Sequence, residues 1–129
     1  MSKTYQVLLD KGNIGTTKLE KADAPMGVAF GQINFLNISS GYDFLKSYCL
    51  KNQIGFTDYP EDNLISTLNI PNLRVIDMDG NEIKGEACSI SGMDGDIFEI
   101  SIVGIEYPFY GEEFPHHVND YNEMLKNGK

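Results

Sequence analysis

Two Asp-Gly turns in the second half of the chain constrain its fold most strongly. Met78-Asp79-Gly80-Asn81 and Gly92-Met93-Asp94-Gly95 each place an Asp-Gly pair between stretches rich in β-branched and aromatic residues. Tight hairpins need positive φ angles, which Asp-Gly pairs adopt at little cost. The pattern therefore predicts a three-stranded antiparallel meander with strands at 73–76, 82–90 and 97–105.

The N-terminal part of the chain carries further strand signals. Apolar residues alternate from Tyr5 to Leu9, a glycine-containing turn follows at 10–13, and a second short strand ends near Leu19. This is the signature of a β-hairpin. Residues 26–36 are rich in β-formers and predict one following strand. Together with the meander, these segments predict an antiparallel sheet of five to six strands.

Three segments carry helix signals. Ser39 and Ser40 precede apolar residues at helical spacing, which predicts a mid-chain helix over 41–53. Pro60, followed by two acidic residues, predicts a shorter helix that ends before Pro71. Pro115 fits the first turn of a C-terminal helix that runs towards Gly128. We expect the mid-chain and C-terminal helices to pack on the sheet.

Length and composition favour one α+β domain covering residues 1–129. The chain has the modal size of a single domain, and 41% of its residues are apolar, with seven Phe and seven Tyr among them. This is enough core material that a net charge of −9 does not predict disorder.

Several features favour a cytoplasmic location. The sequence contains no signal-peptide pattern and no apolar run long enough to cross a membrane, so no membrane association is expected. Cys49 and Cys88 lie far apart within apolar patterns. Reduced, buried thiols are therefore expected in preference to a disulfide.

Charge is distributed unevenly along the chain. Residues 52–123 hold fifteen carboxylates against two basic residues, Arg74 and Lys84, whereas residues 1–51 hold six lysines and four acids. Such a field repels phosphate backbones and attracts basic proteins or cations. Nucleic-acid binding is accordingly disfavoured, and a basic protein surface is the predicted partner.

Residues 106–117 form the best candidate site, because aromatic rings and carboxylates crowd a segment that holds both histidines of the chain. Aromatic anchors among acidic residues suit the binding of a basic protein. The predicted binding residues are Glu106, Tyr107, Phe109, Tyr110, Glu112, Glu113, His116 and His117. A second acidic set comprises Asp58, Glu61, Asp62, Asp94 and Asp96.

The same segment leaves an enzymatic alternative open. His116 and Asp120 lie one helical turn apart, with Glu112 and Glu113 nearby, which could form a metal site or a His117–Glu113 acid/base pair. Adjacent histidines on a helix point about 100° apart, however, and no nucleophile can be assigned. Phosphate-binding, zinc-binding and esterase motifs are absent from the sequence. No metal or cofactor is therefore predicted, and a non-enzymatic role is favoured.

Size and charge are similar to those of small acidic bacterial immunity proteins that neutralise a basic toxin, although no motif identifies a family. The leading hypothesis is thus a non-enzymatic, acidic protein-binding module, of the immunity or inhibitor type, that acts on a basic protein. A structural or assembly subunit is a further alternative.

Overall fold

A computed structural model describes residues 3–127 and shows an α+β fold, as predicted. Nine strands form one antiparallel sheet, with three helices packed on it. The strands are β1 Tyr5–Leu9, β2 Gly12–Thr17, β3 Lys21–Asp23, β4 Val28–Phe35, β5 Phe56–Tyr59, β6 Leu64–Thr67, β7 Leu73–Ile76, β8 Ala87–Met93 and β9 Phe98–Val103. The helices are α1 Gly41–Asn52, α2 Phe109–Glu113 and α3 Pro115–Asn127.

The strand order is β5-β6-β8-β9-β4-β2-β1-β7, and β3 pairs with β4. The predicted N-terminal hairpin is confirmed as β1 and β2, and the following strand is confirmed as β4. The sheet is larger than the predicted five to six strands because three further strands form: β3 pairs with β4, and β5 and β6 form a hairpin. Both hairpins turn through a 3-10 helix, Ala24–Met26 or Pro60–Asp62, that ends in a residue with positive φ.

The predicted helix after Pro60 is wrong. Only one 3-10 turn forms there, and it ends at Asn63 with φ 51°. Strand β6 follows and pairs with both β5 and β8. Ile65 and Thr67 are buried while Ser66 is exposed, so the segment has the two-residue period of a strand. Pairing on both sides outweighs the local helix signal of a proline followed by acids.

The predicted meander is confirmed for β8 and β9, which pair from Ala87↔Val103 to Gly92↔Phe98. Strand β7 lies elsewhere: it pairs with β1 at the end of the sheet, and its link to the following segment is a single bridge between Ile76 and Glu82. The Asp-Gly turn specifies the reversal at 77–81. Strand β7 instead pairs with β1, because the apolar face of β7 packs in the core beside the apolar face of β1.

The predicted mid-chain and C-terminal helices are confirmed. The side chain of Ser40 accepts a hydrogen bond from the Asp43 N–H at the start of α1, which ends at Asn52 and is capped by Gln53 with φ 59°. Helix α3 begins at Pro115, as predicted.

Cys49 and Cys88 are free thiols, and burial raises the pKa of Cys88 to about 12. None of the helices within residues 3–127 has the length and apolar character required to cross a membrane.

One hydrophobic core cluster joins the sheet to the helices. Its largest fully buried side chains come from β1, β6, β7, β8, β9, α1 and the C-terminal segment, and they include Tyr5, Leu45, Ile65, Val75, Ile90, Ile100, Tyr110 and Phe114. The C-terminal segment therefore contributes two aromatic rings to the core as well as the candidate site.

Candidate functional site

The eight predicted binding residues divide into a buried set and an exposed set. The exposed side chains are those of Glu106, Tyr107, Phe109, Glu112 and His116. Those of Tyr110 and His117 are buried, and that of Glu113 is partly buried. This division follows helical spacing: Tyr110, Phe114 and His117 are four and three positions apart and face the core. Tyr110 lies in the short helix α2, which the sequence did not predict, and His117 lies in α3.

Tyr110 is part of the core. Its hydroxyl donates a hydrogen bond of 2.8 Å to the carbonyl of Val28, and its ring lies 5.2 Å from that of Tyr107 and 5.1 Å from that of Phe114. Burial raises the pKa of Tyr110 to about 12, so the hydroxyl stays protonated and remains a donor. Tyr110 is thus unavailable to a partner and supports the segment from beneath.

Glu113 is bound within the protein. Its Oε2 accepts hydrogen bonds from Lys3 Nζ and from the Tyr5 hydroxyl, both at 2.7 Å. Lys3 Nζ also lies 3.5 Å from the carboxylate of Asp77. Burial, followed by the hydrogen bond to Glu113, raises the pKa of Tyr5. This network joins the first strand to the C-terminal helices, so the charge of Glu113 is compensated internally.

We expect Asp77→Asn to destabilise the protein at neutral pH but much less in acid. Backbone hydrogen bonding from Asn81 is the largest cause that lowers the pKa of Asp77, and burial partly opposes it. A lowered pKa in the folded state stabilises the fold above the ordinary aspartate value of about 3.9, and this contribution is lost as the pH falls through the folded value.

Urea midpoints of the wild type and the variant at pH 7, 5 and 3 would test this expectation, with the exposed neighbour variant Asp79→Asn as control. The difference in urea midpoint between the wild type and Asp77→Asn should become smaller below about pH 4. An unchanged difference in midpoint at pH 3 would contradict the stabilising role assigned to the Asp77 charge.

His117 is also held internally. It is 5% exposed, and its Nε2 lies 2.8 Å from the carbonyl oxygen of Leu19. A carbonyl accepts only, so Nε2 carries the proton. The ring stacks on Phe114, and the His116 ring lies 4.2 Å away. Desolvation, and then the neighbouring His117, lower the pKa of His116.

Within residues 3–127, no group of three or more His, Cys, Asp or Glu side chains is placed to hold a metal ion.

Glu106, Tyr107 and Phe109 of the exposed set form a surface with residues from two other segments, whereas Glu112 and His116 do not line its clefts. Tyr107 is 51% exposed and Phe109 36% exposed, and Met26 is 68% exposed on the neighbouring 3-10 turn. One cleft of about 360 Å³ is lined by Glu82, Lys84, Gly85, Glu86, Gly104, Glu106 and Phe109. A second of about 350 Å³ is lined by Pro25, Met26, Gly27, Glu86, Gly104, Ile105, Glu106 and Tyr107. We call Met26, Glu86, Glu106, Tyr107 and Phe109 the acidic–aromatic surface.

Backbone contacts hold the parts of this surface together. The Ile105 N–H donates to the carbonyl of Gly27 at 2.9 Å, and the Tyr107 hydroxyl donates to the carbonyl of Ala24 at 2.8 Å. These bonds join the 3-10 turn Ala24–Met26 to the end of β9. Met26 and Glu86 were not among the predicted binding residues, because no local pattern links the 24–27 or 85–86 segments to residues 105–109.

Charge on this surface is only partly compensated. Among the described residues, the later carboxylates that form ion pairs are Asp58 with Lys46, Asp77 and Glu113 with Lys3, Glu82 with Arg74, and Glu99 with Lys21. No lysine or arginine within residues 3–127 forms an ion pair with Glu86, Glu106 or Glu112. Lys84 lines one cleft, so that cleft carries three carboxylates against one ammonium.

The second predicted acidic set lies at the opposite end of the β8–β9 hairpin, roughly 20 Å away along seven residues of strand. Asp94 accepts hydrogen bonds from the Ser40 hydroxyl and the Tyr42 N–H at the start of α1. Asp58 is bound by Tyr42 and Lys46. Asp96 accepts a hydrogen bond from the Ile97 N–H, so three of the five carboxylates in this set have internal partners. The two predicted acidic sets thus lie in separate regions and do not converge into one.

The fold and this surface define a small α+β protein whose candidate site is open, acidic and partly aromatic. Comparisons of the chain with protein-family models, with curated proteins and with solved structures returned no significant match.

Proposed function

We propose that this protein is a non-enzymatic binding module of the immunity or inhibitor type, and that its acidic–aromatic surface contacts a basic protein. The observation that supports this most is the position of exposed Tyr107 and Phe109 beside Glu86 and Glu106, which have no ion-pair partner within residues 3–127. A bacterial, cytoplasmic immunity protein is the form of the proposal that size and charge favour.

The two kinds of side chain have different roles in such an interface. Aromatic rings that become buried on binding contribute most of the affinity. Carboxylates around them speed the encounter with a cationic surface and disfavour acidic partners. Tyr107 is held by its hydrogen bond to Ala24, so its ring is already positioned before a partner arrives. This reduces the entropy cost of binding.

Charge reversal at the surface provides the test. We expect the double variant Glu86→Lys/Glu106→Lys to weaken association with a basic partner by at least about 10-fold, because attraction becomes repulsion at two rim positions. Tagged wild-type protein and the variant would be used to capture partners from lysate of the source cell, with identification by mass spectrometry. The association rate of the captured protein would then be measured at low and high salt.

The matched control is Glu61→Lys/Asp62→Lys, which makes the same change in net charge at the other end of the sheet. Glu113 is left unchanged because reversing its charge would break the bonds to Lys3 and Tyr5. If both variants capture a basic partner equally well, the acidic–aromatic surface is not the contact. The same conclusion follows if only the control variant fails to capture that partner.

A further inference from the structure

A third groove lies on the other side of the 3-10 turn Ala24–Met26, between β3 and α3. It has a volume of about 590 Å³, which is within the ~300–1,000 Å³ range of ligand-binding clefts. Its lining residues are Glu20, Ala22, Asp23, Ala24, Phe30, His117, Asp120, Tyr121 and Met124. Ala24 lines this groove, and its carbonyl accepts the hydrogen bond from Tyr107, so the groove adjoins the acidic–aromatic surface.

The polar groups of the groove are mainly hydrogen-bond acceptors. Glu20, Asp23 and Asp120 contribute three carboxylates, and no lysine or arginine of the described chain lines the groove. His117 also lines the groove, and its Nδ1 has no hydrogen-bond partner within residues 3–127. A positively charged group that is rich in donors matches the three carboxylates.

Two contacts position side chains of this groove. The Gln32 N–H donates to Glu20 Oε2 at 3.0 Å, and Glu20 Oε1 occupies the space where a side chain at position 31 would begin, so this carboxylate is held against β4. Lys21 Nζ lies 6.0 Å from the centre of the Phe30 ring and is bound by Glu99 at 2.6 Å, so the Phe30 ring has an ammonium of the chain itself within cation–π distance.

We infer that this groove binds an arginine side chain presented by the basic partner, so the inference rests on the proposed function and specifies its chemistry. Guanidinium is planar, carries five donors and stacks on aromatic rings, whereas a lysine ammonium is a compact point charge. Carboxylates on both walls, Asp23 on β3 and Asp120 on α3, match donors that point in opposite directions. The apolar side chains of Phe30, Tyr121 and Met124 match the methylene stem.

The test uses N-acetyl-arginine amide as the probe and its uncharged isostere, N-acetyl-citrulline amide, as the matched ligand control. In an NMR titration of the full chain, the arginine probe should give saturable shifts at the backbone amides of Asp120, Tyr121 and Met124. The citrulline probe should give none at the same concentrations. Saturation by both probes alike, shifts at the other end of the sheet alone, or no saturable shift would overturn the inference.

Two isosteric variants refine the test. Asp23→Asn/Asp120→Asn should weaken binding of the arginine probe about 10-fold through loss of charge-assisted hydrogen bonds. Glu61→Gln/Asp62→Asn, which removes the same charge elsewhere, should not change it. All four side chains are exposed, so the fold is expected to persist. Unchanged affinity in the groove variant would overturn the inference.

The two proposals fail in different ways. If the probe does not bind but a basic partner is still captured through Glu86 and Glu106, only the arginine groove is wrong. If the probe binds and no basic partner depends on Glu86 and Glu106, the groove recognises guanidinium but the proposed function is wrong.

Discussion

Tyr110→Ala is expected to lower the free energy of unfolding by about 3–5 kcal/mol, the usual cost of removing a large aromatic ring from a core. Tyr110 is fully buried and packs between Tyr107 and Phe114. Truncation would leave a cavity beneath the candidate site and would also leave the Val28 carbonyl without its donor. Urea denaturation of the wild type and the variant measures the loss.

Two companion variants separate the contributions. Tyr110→Phe keeps the ring and removes only the hydrogen bond to Val28, so we expect a loss of roughly 1 kcal/mol. Tyr107→Ala removes a half-exposed ring and should cost far less than Tyr110→Ala. Equal losses for the Tyr107 and Tyr110 truncations would show that the division of the site into exposed and buried sides is wrong.

Gly27→Ala is expected to lower the free energy of unfolding by about 2–5 kcal/mol, because the backbone is left-handed at this position and the added methyl group would overpack the structure. Gly27 has φ 66°, and an added Cβ would lie 2.5 Å from the carbonyl oxygen of Ile105. Neither backbone can move easily, because the Ile105 N–H is bonded to the Gly27 carbonyl. This close approach places Met26 beside Tyr107, so the variant should also weaken partner binding.

Gly80→Ala is the matched control for this prediction. Gly80 has φ 91°, but an added Cβ there would meet nothing within 4 Å. Only the backbone conformation is then strained, so we expect the free energy of unfolding to fall by about 1–2 kcal/mol. Thermal and urea unfolding of both variants provide the comparison. Similar losses at the two glycines would mean that the contact between Gly27 and Ile105 does not constrain the fold.

Local signals predicted the parts of this fold that depend on a few neighbouring residues. The turn at 92–95 produces the β8–β9 hairpin, Ser40 caps α1, and Pro115 begins α3. In each case the residues that specify the element lie within it or next to it. The helix predicted after Pro60 failed because pairing with β5 and β8, which a local pattern does not contain, stabilises a strand there.

The composition of residues 106–117 singled them out as the candidate site, but it did not predict which of their side chains are exposed and which are buried. Glu113 is bound by Lys3 and Tyr5, which lie 110 and 108 positions away in the sequence, and His117 is bound by Leu19, 98 positions away. The uneven charge predicted an acidic surface. It did not predict that Lys21 and Lys46 would pair with Glu99 and Asp58, nor that the two predicted acidic sets would lie in separate regions.

The amino-acid sequence by itself determined the α+β class, the main helices, the β1–β2 and β8–β9 hairpins and the excess of negative charge, because short-range geometry and composition are sufficient for these. Only the tertiary structure decided that β7 lies beside β1, that Tyr110 and His117 face inward, and that Met26 and Glu86 join Tyr107 on one surface. These features depend on contacts between segments that are distant in the chain. The alignment of such segments is set by the packing of the whole core.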